Sequence, residues 1–129
     1  MNVRKRDRGA AVVEFALVVP VLLVLVLGIA EFGRAYNIQT TLSGAAREGV
    51  RVMALDNTSS AVSAARSKAK AAAPSLDLAD SQINVSPGAA PCASGTQVTV
   101  TISYPMTFLT TFFGSSITLT GKGVMLCNG

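Results

Sequence analysis

Histidine and tryptophan are absent from this sequence of 129 residues, and cysteine occurs only twice. Without histidine there is no Ser-His-Asp or Cys-His nucleophile system of the usual kind. Two cysteines alone make neither a Cys₂His₂ nor a Cys₄ zinc site within one chain. Charge is also scarce: 14% of residues are charged, against roughly 25% in an ordinary soluble domain. Half the sequence is hydrophobic, yet only 5% is aromatic. The length suits one domain with a modest core.

What charge there is lies unevenly. Arg4, Lys5, Arg6 and Arg8 crowd the first eight positions, with Asp7 the single acid among them. The remainder is close to neutral, which argues against a basic groove for nucleic acid. Directly after this head comes the most apolar stretch, residues 10–30, with Glu14 its one charge. As a helix rising ~1.5 Å per residue, a stretch of this length crosses a hydrocarbon core of ~30 Å. Basic residues before the span follow the positive-inside arrangement. The lipid bilayer is therefore the first expected partner, and a single-pass membrane helix the first expected element.

Two alternatives stay open at this point. The basic head and apolar run also suit a secretory signal peptide, and Gly28-Ile29-Ala30 resembles a small-x-small cleavage site. An uncleaved single-pass scaffold is the other. Glu14 distinguishes the stretch from a plain span. A carboxylate deep in a bilayer costs ~2.5–3.5 kcal/mol on insertion scales, so its presence needs a reason. Pro20 removes one helical hydrogen bond and bends or loosens the preceding turn.

Past residue 30 the helical pattern continues. Phe32, Ala35, Tyr36, Leu42, Ala45, Ala46, Gly49, Val50 and Met53 recur mainly at steps of three and four, with Gln39 the polar exception. Glu31 with Arg34, and Glu48 with Arg51, read as opposite-charge pairs on the helix surface. The pattern predicts one helix over about residues 10–54, its second half amphipathic. Asp56 to Ser60 supplies a break with several N-cap candidates. Residues 61–73 form an Ala-rich helix whose Arg66, Lys68 and Lys70 read as a solvated face, and Pro74 ends it.

The composition then turns to strands. Residues 82–85 suit a short one. Val98, Val100, Ile102 and Tyr104 alternate with Thr99, Thr101 and Ser103, the pattern of a half-buried strand over 97–104. Pro105 to Phe113 reads as an apolar connection. Residues 117–120 and 124–127 read as two strands joined around Gly121-Lys122-Gly123. The expected fold is α+β: a long N-terminal helix, a short Ala-rich helix, and a small antiparallel sheet of three or four strands needing the amphipathic helix as cover. The chain divides into a leader (1–9), a transmembrane helix (10–30), its amphipathic continuation (31–55) and an exported head (56–129). Cys92 and Cys127 fall in the head, so a disulfide is expected, worth ~3–4 kcal/mol by loop-closure entropy.

Several motifs fail. Gly121-Lys122 lacks the earlier glycine of a phosphate loop. Asn57-Thr58-Ser59 fits a glycosylation sequon, a common chance triplet. No paired carboxylates lie close in sequence. The reading is non-enzymatic, with no cofactor and no metal site.

The stretch that carries most information is Arg6-Asp7-Arg8-Gly9-Ala10-Ala11-Val12-Val13-Glu14-Phe15. A basic leader ends in Gly9; small and apolar residues follow, then Glu14 and Phe15. This resembles the prepilin peptidase site of type IV pilins and pseudopilins. With Glu31-Phe32-Gly33-Arg34-Ala35-Tyr36 and Ala45-Ala46-Arg47-Glu48-Gly49-Val50-Arg51, the stretch resembles TadE-like proteins of the tight-adherence (Tad) pilus machinery over about residues 8–53. The resemblance implies a minor pilin or pseudopilin made as a membrane precursor and cut between Gly9 and Ala10 by a prepilin peptidase. Glu14 and Phe15 then serve assembly, with Glu14 meeting the new Ala10 amine of its own or a neighbouring subunit. Implied partners are that peptidase, other pilins or pseudopilins and assembly-platform proteins. The implied location is the bacterial inner membrane, N-terminus cytoplasmic and head exported, or the surface pilus.

Overall fold

A computed structural model describes residues 3–128, with side chains from Arg6 onward. Met1 and Asn2 of the leader, and the side chains of Arg4 and Lys5, lie outside the described residues. Two compact units emerge, Met1–Arg34 and Ala35–Gly129. The elements are α1 (Val3–Leu55), α2 (Ala61–Ala72), β1 (Ile83–Ser86), β2 (Gln97–Thr107) and β3 (Ser116–Leu126). The fold is α+β, with a long helix, a short helix and a three-stranded antiparallel sheet in the order β1-β2-β3.

α1 begins seven residues earlier than the apolar pattern alone suggests. Arg and Lys are good helix formers, and one Gly costs about 1 kcal/mol against Ala, so nothing at Gly9 stops the helix. It also runs through Pro20. There the carbonyl of Ala16 has no N–H four residues on to receive.

In the second unit, two helices cover one face of the sheet. The inward row of β2 is Val98, Val100, Ile102 and Met106, all buried, with Tyr104 half-buried. β1 adds Ile83 and Val85. From α1 come Ile38, Leu42, Ala45, Ala46, Val50, Met53 and Ala54. α2 contributes Ala61, Ala65 and Ala69, one per turn. Such a stripe of methyl groups allows close helix approach: a Cβ built on Gly49 would meet the Ala65 carbonyl oxygen at 3.2 Å and Ala69 Cβ at 3.3 Å.

Three expectations need correction. Phe32 and Tyr36 were expected in the apolar stripe but are 71% and 73% exposed; Ile38 takes the inward position instead. Glu31, expected on the surface, is only 2% exposed. The third concerns the glycines near the C-terminus. Gly121-Lys122-Gly123 is no turn: β3 is one continuous strand of 11 residues. The register sets Gly121 opposite Ile102 and Gly123 opposite Val100. Both glycines face α1 and are buried. A Cβ on Gly121 would stand 2.5 Å from the Leu42 carbonyl oxygen, and one on Gly123 2.6 Å from that of Ala46. The strand needs glycine here because the helix backbone occupies the place of side chains.

Gln39, the polar exception in the stripe, belongs to the same contact. Its Nε2 donates to the Thr120 carbonyl at 2.7 Å. This supplies a partner for a backbone group on an edge strand, where carbonyls otherwise turn to water.

The far end of the unit is closed covalently. Cys92 and Cys127 are disulfide-bonded, with Cα atoms 6.2 Å apart. Cys127 N donates to Thr96 O at 2.9 Å and Gly95 N to Cys127 O at 2.8 Å. Cys92 Sγ lies 3.3 Å from the Met53 carbonyl oxygen, which places the loop before β2 beside α1.

Two predictions follow from this packing. Gly121→Ala forces the helix off the strand and should cost about 1–3 kcal/mol or more. Gly44→Ala, where an added Cβ meets nothing within 4 Å, should gain about 0.5–1 kcal/mol. Thermal unfolding of the full chain in detergent, followed by circular dichroism, compares the two. For the disulfide, non-reducing peptide mapping of protein recovered from the bacterial envelope should yield the linked Cys92 and Cys127 peptides, and Cys92→Ser should lower stability by ~3–4 kcal/mol. Two alkylatable thiols would contradict it.

Candidate functional site: the N-terminal segment of α1

The first unit is helix throughout its described residues. Between residues 10 and 30, only Val19, Leu27 and Gly28 are even half-buried; the remaining side chains are exposed. Val12, Val13, Leu17, Leu22 and Leu25 all have more than half of their surface open. Such a surface is far from water's preference, since each large apolar side chain gains ~1.5–3 kcal/mol on full burial. The helix is long and apolar enough to cross a membrane, and none of its most apolar window is buried within the protein. This suits a single-pass membrane anchor.

Gly9, Ala10, Glu14 and Phe15 lie in this exposed helix. Ala10 and Glu14 are four residues apart, so they occupy one face on successive turns, with Cβ atoms ~5–6 Å apart. Among the described residues Glu14 joins no salt bridge. Phe15 is 71% exposed. A Cβ built on Gly9 meets nothing within 4 Å. The contrast with Gly121 and Gly123 is informative. Those glycines are demanded by the chain's own packing, whereas the chain's own structure requires neither the glycine at 9 nor the carboxylate at 14. Arg6, Asp7 and Arg8, on the preceding turn, are exposed as well.

In the second unit, two of the three basic residues of α2 are engaged in structure. Arg66 Nε donates to the Ile83 carbonyl at 3.2 Å, and Lys70 Nζ pairs with Asp80 at 2.5 Å. The Lys70 hydrogen bond, and then its charge, hold the Asp80 carboxyl below its ordinary range. Asp56 is lowered too, by the hydroxyl of Thr58 first and then its backbone N–H. Asp80 is exposed and Asp56 half-buried, and these contacts shape the loop before α2 and the connection from α2 to β1 more than they stabilise the fold. Lys68 lines a shallow, open groove with Glu48, Arg51 and Asp56, where charges of both signs lie together on an open surface. Among the described residues no group of three potential metal ligands exists.

Residues that sequence reasoning missed are Ile38 and the buried state of Glu31. A step of four from Ile38 reaches Leu42, a signal available in the periodicity. Glu31 stands directly after the apolar run, and its burial has no counterpart in the pattern of charges.

The comparisons with known proteins bear on this segment. No curated protein and no solved structure matches the chain. A family model described as TadE-like protein matches residues 9–51. That span begins at Gly9, takes in Glu14 and the whole apolar run, and ends among the α1 residues that cover the sheet. Over this span, about a third of its length, the chain is similar to TadE-like proteins.

Proposed function

We propose that this protein is a non-enzymatic, pilin-like component of a Tad-type pilus system, made as a membrane precursor and cut between Gly9 and Ala10 by a prepilin peptidase. The observation that carries the reading is the pairing of Gly9 and Glu14 at the head of an exposed apolar helix, at positions where the fold itself asks for neither residue. A glycine with open space around it, costing about 1 kcal/mol of helix stability against Ala, is accounted for by an enzyme that must approach the backbone closely. Residues 10–30 anchor the chain in the inner membrane, with the basic leader on the cytoplasmic side. The head lies outside, where the Cys92–Cys127 bond persists.

Cleavage leaves a positively charged amine on Ala10. Glu14, one turn along the same face, pairs with that amine on its own or a neighbouring subunit. A carboxylate among apolar side chains is costly alone, and truncating one partner of a desolvated pair costs more than the pair contributes. The pair therefore favours a helix-to-helix register in which both charges meet. Phe15, beside Glu14 and exposed, packs at the same contact. Partners on this reading are the peptidase, other pilins or pseudopilins, and the assembly platform.

Glu14→Ala and Glu14→Gln test the mechanism. Each removes a charge from the apolar run, so membrane insertion should hold or improve by up to ~2.5–3.5 kcal/mol on insertion scales. Assembly should fall even so. Carbonate extraction measures the first, and co-purification with pilus components and counts of surface fibres measure the second. Normal fibres and normal co-purification with Glu14→Ala would remove the proposed pairing.

A further inference from the structure

Of the chain's five Phe and two Tyr, four fall between Tyr104 and Phe113. Those after Tyr104 belong to the connection between β2 and β3, and that connection is built to a definite shape. Phe108 N donates to Ser115 O at 3.2 Å and Gly114 N to Thr111 O at 3.4 Å. Residues Thr111–Phe113 make a 3₁₀ turn. The Phe108 and Phe113 rings pack with centroids 6.4 Å apart, and Phe108 rests on the core. Gly114 has φ +109°, a conformation that suits glycine. On this scaffold Leu109 is 67% and Phe112 72% exposed, and Ile117 follows at the start of β3 with 45%. No charged residue occurs from Ser81 to Gly121.

The place of this tip follows from the register of β3 on α1. Gly121 lies at Leu42 and Gly123 at Ala46. Two strand residues advance ~6.6 Å and four helix residues ~6 Å, so strand and helix run in the same sense. Following β3 back from Gly121, past Thr120 and its bond to Gln39, leads towards Ala35. The tip therefore stands at the Ala35 end of the head, where the chain arrives from its apolar segment. Tyr36 is exposed at the same end. The disulfide, beside Met53, marks the opposite end.

We propose that Leu109, Phe112 and Ile117 form a foot by which the head seats in the bilayer interface, with lipid as its occupant. The inference rests on residues 10–30 being the membrane span. Phe and Leu favour the boundary between headgroups and acyl chains, where an apolar face sinks about 5–10 Å. An uncharged tip is spared the large cost of desolvating a charge on entering it. Lipid prevails over a diffusing partner because the head is tethered to the membrane: contact is intramolecular, so even three modest apolar side chains act at high effective concentration.

The absence of tryptophan makes the test direct. F112W is prepared in the full chain and reconstituted in phosphatidylcholine–phosphatidylglycerol vesicles carrying a nitroxide either near the headgroup or deep in the acyl chains. L22W and N128W, in the apolar run and at the disulfide end, are prepared likewise. Exchange of one exposed ring for another leaves the core untouched, and L109W repeats the measurement at a second position. F112W should lose roughly half its emission to the shallow label, consistent with a depth of about 5–10 Å, and much less to the deep one. L22W should respond most to the deep label and N128W to neither. If L22W is quenched while F112W and L109W ignore both labels, the foot is overturned and the membrane helix stands. If L22W ignores both labels, the membrane reading and the foot fall together. Blue-shifted F112W emission without lipid quenching, varying with the protein-to-lipid ratio, would assign the tip to a second copy of the chain and also overturn the proposal.

Discussion

A helix that is apolar on every side must be covered, and this chain covers only part of α1. From Ala35 onward the sheet and α2 bury one face of it. From Ala10 to Ala30 its side chains stand almost entirely exposed. That constraint orders the rest of the molecule. It calls for lipid or neighbouring helices around the first unit, and it makes every polar group there costly. Glu14 then stands out as the one charge in the apolar run, costly at membrane depth.

The second unit solves a different problem, packing a small three-stranded sheet with few large side chains. Its device is close approach. Ala61, Ala65 and Ala69 let α2 settle against α1 at Gly49, while Gly121 and Gly123 let β3 meet the backbone of α1 directly. The large inward residues sit on β1 and β2, beside those glycines in register: Ile83, Ile102 and Gly121 form one row, and Val85, Val100 and Gly123 the next. The disulfide and the backbone bonds around Cys127 fix the other end of that strand.

Much of this was legible in the sequence because periodicity reports burial. The alternation from Val98 to Ile102 marked β2, and the steps of three and four from Leu42 to Met53 marked the covering face of α1. The errors share a cause. Gly121 and Gly123 resemble a turn because local propensity treats glycine as a breaker, whereas a glycine that admits another backbone is visible only once the partner is in place. Phe32 and Tyr36 fit a helical stripe by spacing and composition, but α1 turns Ile38 inward instead. In the N-terminal segment the sequence carries more than the fold does. Gly9 and Glu14 were legible through their spacing under a basic leader, and the structure adds that neither is needed for the chain's own packing.

The central claim, that α1 is the processed helix of a pilin-like protein, is tested most directly by the N-terminal residue of the chain recovered from bacterial membranes, read by mass spectrometry. The account predicts that the mature chain begins at Ala10. A chain beginning at Glu31 would identify residues 1–30 as a secretory signal, and one that keeps Met1 where the peptidase is active would leave an uncleaved anchor. Either result would contradict it.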